Sequence, residues 1–322
     1  MNQYITLQGR ITQTLSGLRL DKALARLFCD YSRSYLQSWI RSGFVQIDGS
    51  VQKKRRYTVK TGQCIVIVAD FLKLKREECW KPQPIALNII YQDDDILVVN
   101  KPAGLTVHPG AGQLDQTLVN ALLHFDPTLN VLPRAGLVHR LDKDTSGSLV
   151  VARNLQAYHH LRKAMQLHEI CREYRAIVTG VMTAGRTIDK PIGRHSIHRL
   201  RMSVLSSGKR AITHYRVLER FRVHSYIRVI LETGRTHQIR VHLSHIYYPL
   251  VGDQLYGKNR IVPGRLTPQL KKALFSFKRQ ALHAFRLCLM HPRSKKTMNF
   301  EAPIPEDMTQ LLHLLRKDTS IY

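Results

Sequence analysis

At 322 residues the chain is long enough for two domains, and an apolar content of 43% fits a globular protein with a real core and excludes a disordered one. Fifty Lys and Arg against 23 Asp and Glu leave a net charge of +27, so the chain should accumulate on polyanions, nucleic acid first, with an affinity that falls as salt rises. No apolar run reaches the roughly 18 residues of a membrane span, the N-terminus lacks a signal-peptide pattern, and neither a basic amphipathic helix nor a lipidation motif is present, so no membrane partner is expected and the location implied is cytoplasmic.

Leu20, Leu24, Leu27 and Phe28 recur at helical spacing among Asp21, Lys22, Ala25 and Arg26, which predicts a short amphipathic helix. Ser32 or Ser34 can cap a second helix whose apolar positions are Tyr35, Leu36, Trp39 and Ile40, with Gly43 at its stop. Phe44 to Val51 alternates around Asp48-Gly49, the turn pair of a two-residue hairpin. Two helices and a hairpin make a small α+β module over residues 1–70. Residues 1–86 hold 15 basic and 6 acidic side chains. Any single Lys or Arg here is most simply a solvated charge, but Lys53, Lys54, Arg55 and Arg56, with Arg33 and Arg41, form a cluster suited to phosphate neutralisation, with Tyr35 and Trp39 in the core and not stacked on bases. This order of elements, with basic residues beside the second helix, resembles the S4-type RNA-binding domain. Residues 71–84, rich in Lys and Glu and ending in Lys81-Pro-Gln-Pro84, read as an extended linker.

The second domain is expected over residues 85–322. Leu87 to Tyr91 and Ile96 to Asn100 are strands of a hairpin. Lys101 to Gly110 is an irregular Gly- and Pro-rich loop. Gly110-Ala-Gly112 opens like a dinucleotide fingerprint, but Asp115 stands where the third glycine belongs, so cofactor binding is rejected there. Helices are expected at Thr117 to Phe125 and at Leu155 to His168, the latter with Leu155, Tyr158, Leu161 and Met165 inward. Strands are expected at Leu149 to Val151, Cys171 to Val178, Thr213 to Arg220, Tyr226 to Glu232 and Leu282 to Leu289, and a helix capped by Thr236 within Gly234 to His242. Strands outnumber helices without regular alternation, so the fold class is α+β, mainly antiparallel sheet.

Between the strands lies Gly136-Leu-Val-His-Arg-Leu-Asp-Lys-Asp-Thr-Ser-Gly147, which packs His139, Arg140, Asp142, Lys143 and Asp144 into six residues. A loop held between buried strands is where chemistry concentrates, and an ionised carboxylate beside cations can act as nucleophile or base. Spacing alone also allows Asp142 and Asp144 to be turn formers paired with Arg140 and Lys143, and does not rank the two carboxylates. His139, His237 and His242 match no common zinc spacing, and five scattered cysteines without C-x-x-C suggest neither a zinc site nor a disulfide framework.

His139 to Gly147, Arg172-Glu-Tyr174 and Gly234 to His242, with Asn100 to Gly104 and Val107 to Gly110, resemble the motifs of the RNA pseudouridine synthases, and the likeness covers nearly the whole chain. The resemblance implies Asp142 as catalytic aspartate, Tyr174 as active-site tyrosine, Arg240 as the carboxylate's partner and Arg140 as the side chain that replaces a flipped base. It further implies uridines of large-subunit ribosomal RNA as substrate, with tRNA as the alternative. Isomerising uridine involves no redox change and no group donor, so no cofactor or metal is expected; attack at C1′ or at C6 of the nucleotide both remain open. The target must leave its stack first, after which the planar Arg140 guanidinium can occupy the gap. Ser148 departs from the family's large aliphatic residue, and His195 to Ser203 form a further basic loop. A monomer is expected. The competing readings are a catalytically silent RNA-binding assembly factor and, more weakly, a metal-dependent hydrolase using Asp142 and Asp144.

Overall fold

A computed structural model describes residues 4–28, 31, 33–70, 80–110, 113–198, 200–257 and 266–321, and the chain divides into two compact units, Met1–Trp80 and Lys81–Tyr322. Ser32, Cys29, Cys79, Gly112, Arg199, the side chain of Tyr35 and most of the expected linker lie outside the described residues.

In the first unit, β1 (Tyr4–Arg10) is followed by α1 (Leu20–Leu27), α2 (Arg33–Arg41), β2 (Val45–Ile47), β3 (Ser50–Val51) and β4 (Cys64–Asp70). The β2–β3 turn takes positive φ at Asp48 (49°) and Gly49 (81°), the backbone that an Asp-Gly pair favours. The strands form one antiparallel sheet in the order β1-β4-β2-β3. β1 and β4 extend the expected hairpin: they pair with each other from opposite ends of the module, a partnership no local signal announces. Leu20, Leu24, Leu36, Trp39, Ile40, Ile65 and Ile67 are wholly buried between helices and sheet, each contributing about 1.5–3 kcal/mol of apolar burial.

The second unit runs β5 (Ile89–Gln92), β6 (Ile96–Lys101), α3 (Leu118–Phe125), β7 (Ser146–Ala152), α4 (Leu155–Gln166), β8 (Cys171–Thr179), β9 (Arg186–Asp189), β10 (Ile192–Arg194), β11 (Met202–Val204), β12 (Ile212–Arg220), β13 (His224–Leu231), α5 (Gln238–His245), α6 (Pro268–Ser276), β14 (Leu282–Met290), β15 (Thr297–Glu301) and α7 (Glu306–Ile321). One large sheet follows the order β5-β6-β7-β14-β8-β13-β12-β9, with β15 on β14, and β10–β11 form a separate ribbon. Every pairing is antiparallel except β7 with β14, so the α+β, mainly antiparallel class holds. The apolar cluster of Val98, Val150, Ala157 and Leu161 includes α4, and that of Ile177, Met308, Leu311 and Leu315 includes α7.

Two expectations need correction. Leu155 is 53% exposed, because Asn154 caps α4 just before it and the inward stripe begins at Ala157. Thr236 does not cap α5; His237 holds that position at φ 55°, and Gln238 Oε1 accepts the Arg235 N–H at 2.9 Å instead. β9 to β11 are too short to show a period, whereas the i, i+3, i+4, i+7 stripe of Met308, Leu311, Leu312 and Leu315 in α7 is legible in the sequence. No helix among the described residues is long and apolar enough to cross a membrane.

Candidate active site

The loop from Gly136 to Gly147 is held at both ends by glycines that nothing larger can replace. Gly136 (φ 79°) would place a Cβ 2.0 Å from the Ala152 carbonyl oxygen, and Gly147 (φ 114°) one 2.2 Å from that of Ala284. Within the loop the Thr145 N–H closes a turn on the Asp142 carbonyl at 3.1 Å. Lys101, wholly buried at the end of β6, donates to the carbonyls of Pro102 (2.8 Å), Leu105 (2.9 Å) and Lys143 (2.8 Å), tying the early loop to the central one. Burial pushes its amine down to about 7, and the charges of Asp144 and Asp142 oppose that shift.

Asp142 meets Arg240 from α5: the guanidinium Nη1 donates to Oδ2 at 3.2 Å across 98 residues of sequence. The same guanidinium donates twice to Asp253, Nε to Oδ2 at 2.7 Å and Nη2 to Oδ1 at 2.9 Å. Asp253 also accepts the N–H groups of Leu255 (2.9 Å) and Tyr256 (3.0 Å), which fixes it in a turn. Burial works against the Arg240 charge, but the bonds and charge of Asp253, then those of Asp142, outweigh it and raise the pKa. The Tyr256 ring lies 5.0 Å from the guanidinium, and its hydroxyl bonds to His237 Nδ1 at 2.8 Å. The result is an arginine with its Nε–Nη2 edge committed to Asp253 and Nη1 aimed at Asp142.

Asp142 and Arg240 border a cavity of about 280 Å³ whose lining also includes His139, Arg140, Arg172 and Tyr174. Tyr174 on β8 is 6% exposed, and burial pushes its phenol up, opposed by the Arg172 charge and reinforced by that of Asp142, so the hydroxyl stays protonated. Arg140 is exposed and, among the described residues, has no hydrogen-bond or ion-pair partner. His139 Nε2 accepts the Val150 N–H at 3.1 Å, and burial pushes its pKa down to about 3, so it is a neutral anchor of the loop.

The structure thus brings Asp142, Tyr174, Arg240 and Arg140 to one cavity. Among the described residues, neither Arg140 nor Lys143 pairs with Asp142 or Asp144, and Asp144 has no bond to Arg240. The three histidines do not converge: His237 bonds to Tyr256, and His242 lies between Thr213 and the Lys190 carbonyl. Asp93, Asp95 and His291 hold their ligating atoms within 4.8 Å of one another elsewhere, but these already bond to Tyr91, Arg293, one another and backbone N–H groups. Ser148 is buried beneath the loop with no hydrogen-bond partner for its hydroxyl among the described residues. In the first unit, Arg41 and Lys53 to Arg56 are exposed, whereas Arg33 donates to the buried Asp21 at 3.2 and 2.6 Å. The sequence reading missed Asp253, whose one local signal is its place in the Gly252-Asp-Gln-Leu-Tyr-Gly257 turn, and it assigned no role to Arg172 or Lys101.

Comparison with known proteins shows the family. Residues 95–245 match the family model "RNA pseudouridylate synthase", and residues 18–65 match the S4 domain. The chain is 49% identical over 322 residues to "Ribosomal large subunit pseudouridine synthase D" of Vibrio parahaemolyticus, covering 100% of this chain and 98% of that one. It is 49% identical over 319 residues to the protein of the same name from Yersinia pestis, covering 99% and 97%. The solved structure "Human RNA Pseudouridylate Synthase Domain Containing 4" aligns with a TM-score of 0.56 and 29% identity over 71% of this chain and 93% of that chain. A paired carboxylate beside a buried tyrosine, framed by these matches, places the chain in the family of RNA pseudouridine synthases, with an S4 domain at its N-terminus.

Proposed function

We propose that this enzyme converts uridines of large-subunit ribosomal RNA to pseudouridine, with Asp142 attacking a uridine that has been flipped out of its helix. The observation that carries the reading is the Asp142 carboxylate at a cavity wall, held by a single N–H of an arginine that Asp253 fixes from behind. A carboxylate so held is oriented but keeps lone pairs for a carbon electrophile. Tyr174 packs against the extruded uracil, a contact worth about 1–3 kcal/mol per base. Arg140, exposed and unpaired among the described residues at the cavity rim, fills the space the base vacates. Arg41 and Lys53 to Arg56 neutralise phosphates, a sequence-independent contribution with a steep salt dependence. Arg33 contributes there only through the part of its guanidinium that Asp21 leaves free. The names of the Vibrio and Yersinia relatives support ribosomal RNA over tRNA as the target.

The test is release of tritium from C5 of uridine in ribosomal RNA, in isolated large subunits and in tRNA, by wild type and by Asp142→Asn, without added metal. Release from large-subunit RNA by wild type alone supports the reading. Release from tRNA only would move the substrate, and binding without release from any RNA would replace the enzyme by a silent RNA-binding protein.

A further inference from the structure

Arg172 lies two residues before Tyr174 on β8, so strand alternation puts both side chains on the face that walls the cavity, while Glu173 points away to Arg175 and Arg286. Only 6% of Arg172 is exposed. Its protein contacts are few for a buried cation. Nη2 reaches the carbonyls of Leu231 at 3.5 Å and Glu232 at 3.3 Å, and Nε is buried without a partner. Among the described residues no carboxylate forms an ion pair with it. Nη1 lies beside Gly234, where a Cβ would stand 2.6 Å from it. A buried guanidinium left this far short of partners is costly, and the residue borders the cavity proposed to receive the base.

We infer that Arg172 is a catalytic residue which donates to a carbonyl oxygen of the flipped uracil and stabilises the negative charge that the base acquires during isomerisation. The inference rests on the function proposed above but not on the choice of attack. If Asp142 bonds to C1′, the N1–C1′ bond breaks and its electron pair leaves with the base as a uracil anion spread over N1, O2 and O4. If Asp142 bonds to C6, the C5–C6 π pair moves to C5 and, by conjugation, to O4 as an enolate. Either way charge arrives on a carbonyl oxygen. C5 then bonds to C1′ with the N1–C1′ bond broken, and the Asp142–carbon bond breaks with its electron pair returning to the carboxylate. C5 loses one proton while N1 gains one, which leaves a neutral base. A fixed cation acts on that transient charge more than on the neutral ground state.

The experiment compares wild type, Arg172→Gln and Arg172→Lys in single-turnover tritium release at saturating enzyme, using an RNA that wild type converts. Kd is measured over a range of salt, and Tm is recorded for each protein. We expect Arg172→Gln to lose about 10²–10³-fold in rate with Kd, salt slope and Tm unchanged, and Arg172→Lys to recover part of the loss. An unchanged rate with weaker binding and a salt slope smaller by about one would make Arg172 a phosphate ligand and overturn the proposal. Equal losses in both variants with a lowered Tm would overturn it in favour of a packing role. A wild type that releases no tritium from any RNA would instead remove the function on which the inference rests.

Discussion

Each unit holds an aspartate tied to arginine, one wholly buried and one bordering a cavity, and the two are bonded very differently. Asp21 in the N-terminal unit is wholly buried and accepts from Arg19 at 3.1 and 3.2 Å, from Arg33 at 3.2 and 2.6 Å and from Gln37 at 2.7 Å. Burial pushes its carboxyl up, and the bonds from Arg33, Gln37 and Arg19 overcome that and lower it. Both oxygens are occupied, so the group is a structural knot joining α1 to α2. Asp142 keeps a side chain 17% exposed and takes one N–H, from Arg240 at 3.2 Å, whose Nε–Nη2 edge is committed to Asp253. The contrast is one of bonding capacity: both oxygens of Asp21 are spent, whereas Asp142, at a cavity wall, keeps lone pairs free.

Four measurements break or sharpen this contrast, beginning with the largest effect. Asp142→Asn should lower the single-turnover rate by at least about 10⁴-fold while Kd for RNA and Tm stay near wild type; a rate within tenfold of wild type would take Asp142 out of the reaction. Asp21→Ala should do the reverse. Removing the acceptor takes hydrogen bonds from two guanidinium groups that are 40% and 45% exposed and so remain solvated, and should cost the N-terminal unit about 1–2 kcal/mol of stability, read by denaturant unfolding. The Asp142 chemistry should survive at saturating RNA, and a chemical step slowed as much as by Asp142→Asn would erase the distinction.

Asp253→Asn joins the two cases. Asn cannot hold both Nε and Nη2 of Arg240 as acceptors, so the guanidinium is free to turn toward Asp142 and embrace both of its oxygens. We expect kcat to fall about 10²-fold with KM little changed. A fall in KM affinity alone would show that Asp253 serves RNA binding and not the carboxylate.

The smallest effect concerns acid. Burial pushes His224 and His283 down to about 4 and His139 to about 3, so all three are neutral in the folded protein while their unfolded counterparts protonate near 6.5. Between pH 6.5 and about 4 the unfolded chain therefore binds more protons, and stability must fall as pH drops through that window by about 1 kcal/mol per pH unit for each histidine. His224, with neither ring nitrogen hydrogen-bonded among the described residues, is the sharpest case. His224→Phe should flatten the acid limb of a Tm-versus-pH curve, and an unaltered limb would mean that another group sets it.

Much of the fold is legible because its signals are local. The spacing of Leu20, Leu24 and Leu27, the Asp48-Gly49 turn and the alternation of Cys171 to Val178 need no distant partner to be read. The sharp boundary errors, at Leu155 and Thr236, arise where a cap residue outside the periodic pattern decides where a helix begins. β1 and β4 escape because each stabilises the other through register from Tyr4 opposite Asp70 to Arg10 opposite Cys64, and register between remote strands leaves no mark on either one alone.

The sequence by itself determined the charge that draws the chain to RNA, the α+β class and the loop that carries Asp142, because composition, period and turn chemistry act over a few residues. Only the tertiary structure decided which carboxylate of that loop is the one held. Asp142 and Asp144 are equivalent on paper, and α5 delivers Arg240 to the first across 98 residues. It also decided that Arg240 is itself held by Asp253, that Arg33 is largely spent on Asp21, and that Arg172 stands in the cavity wall with bonds to spare. The physical reason is the same in each case. A hydrophobic pattern chooses which face of an element turns inward, but the partner a polar group finds there is set by the packing of elements far apart in the chain.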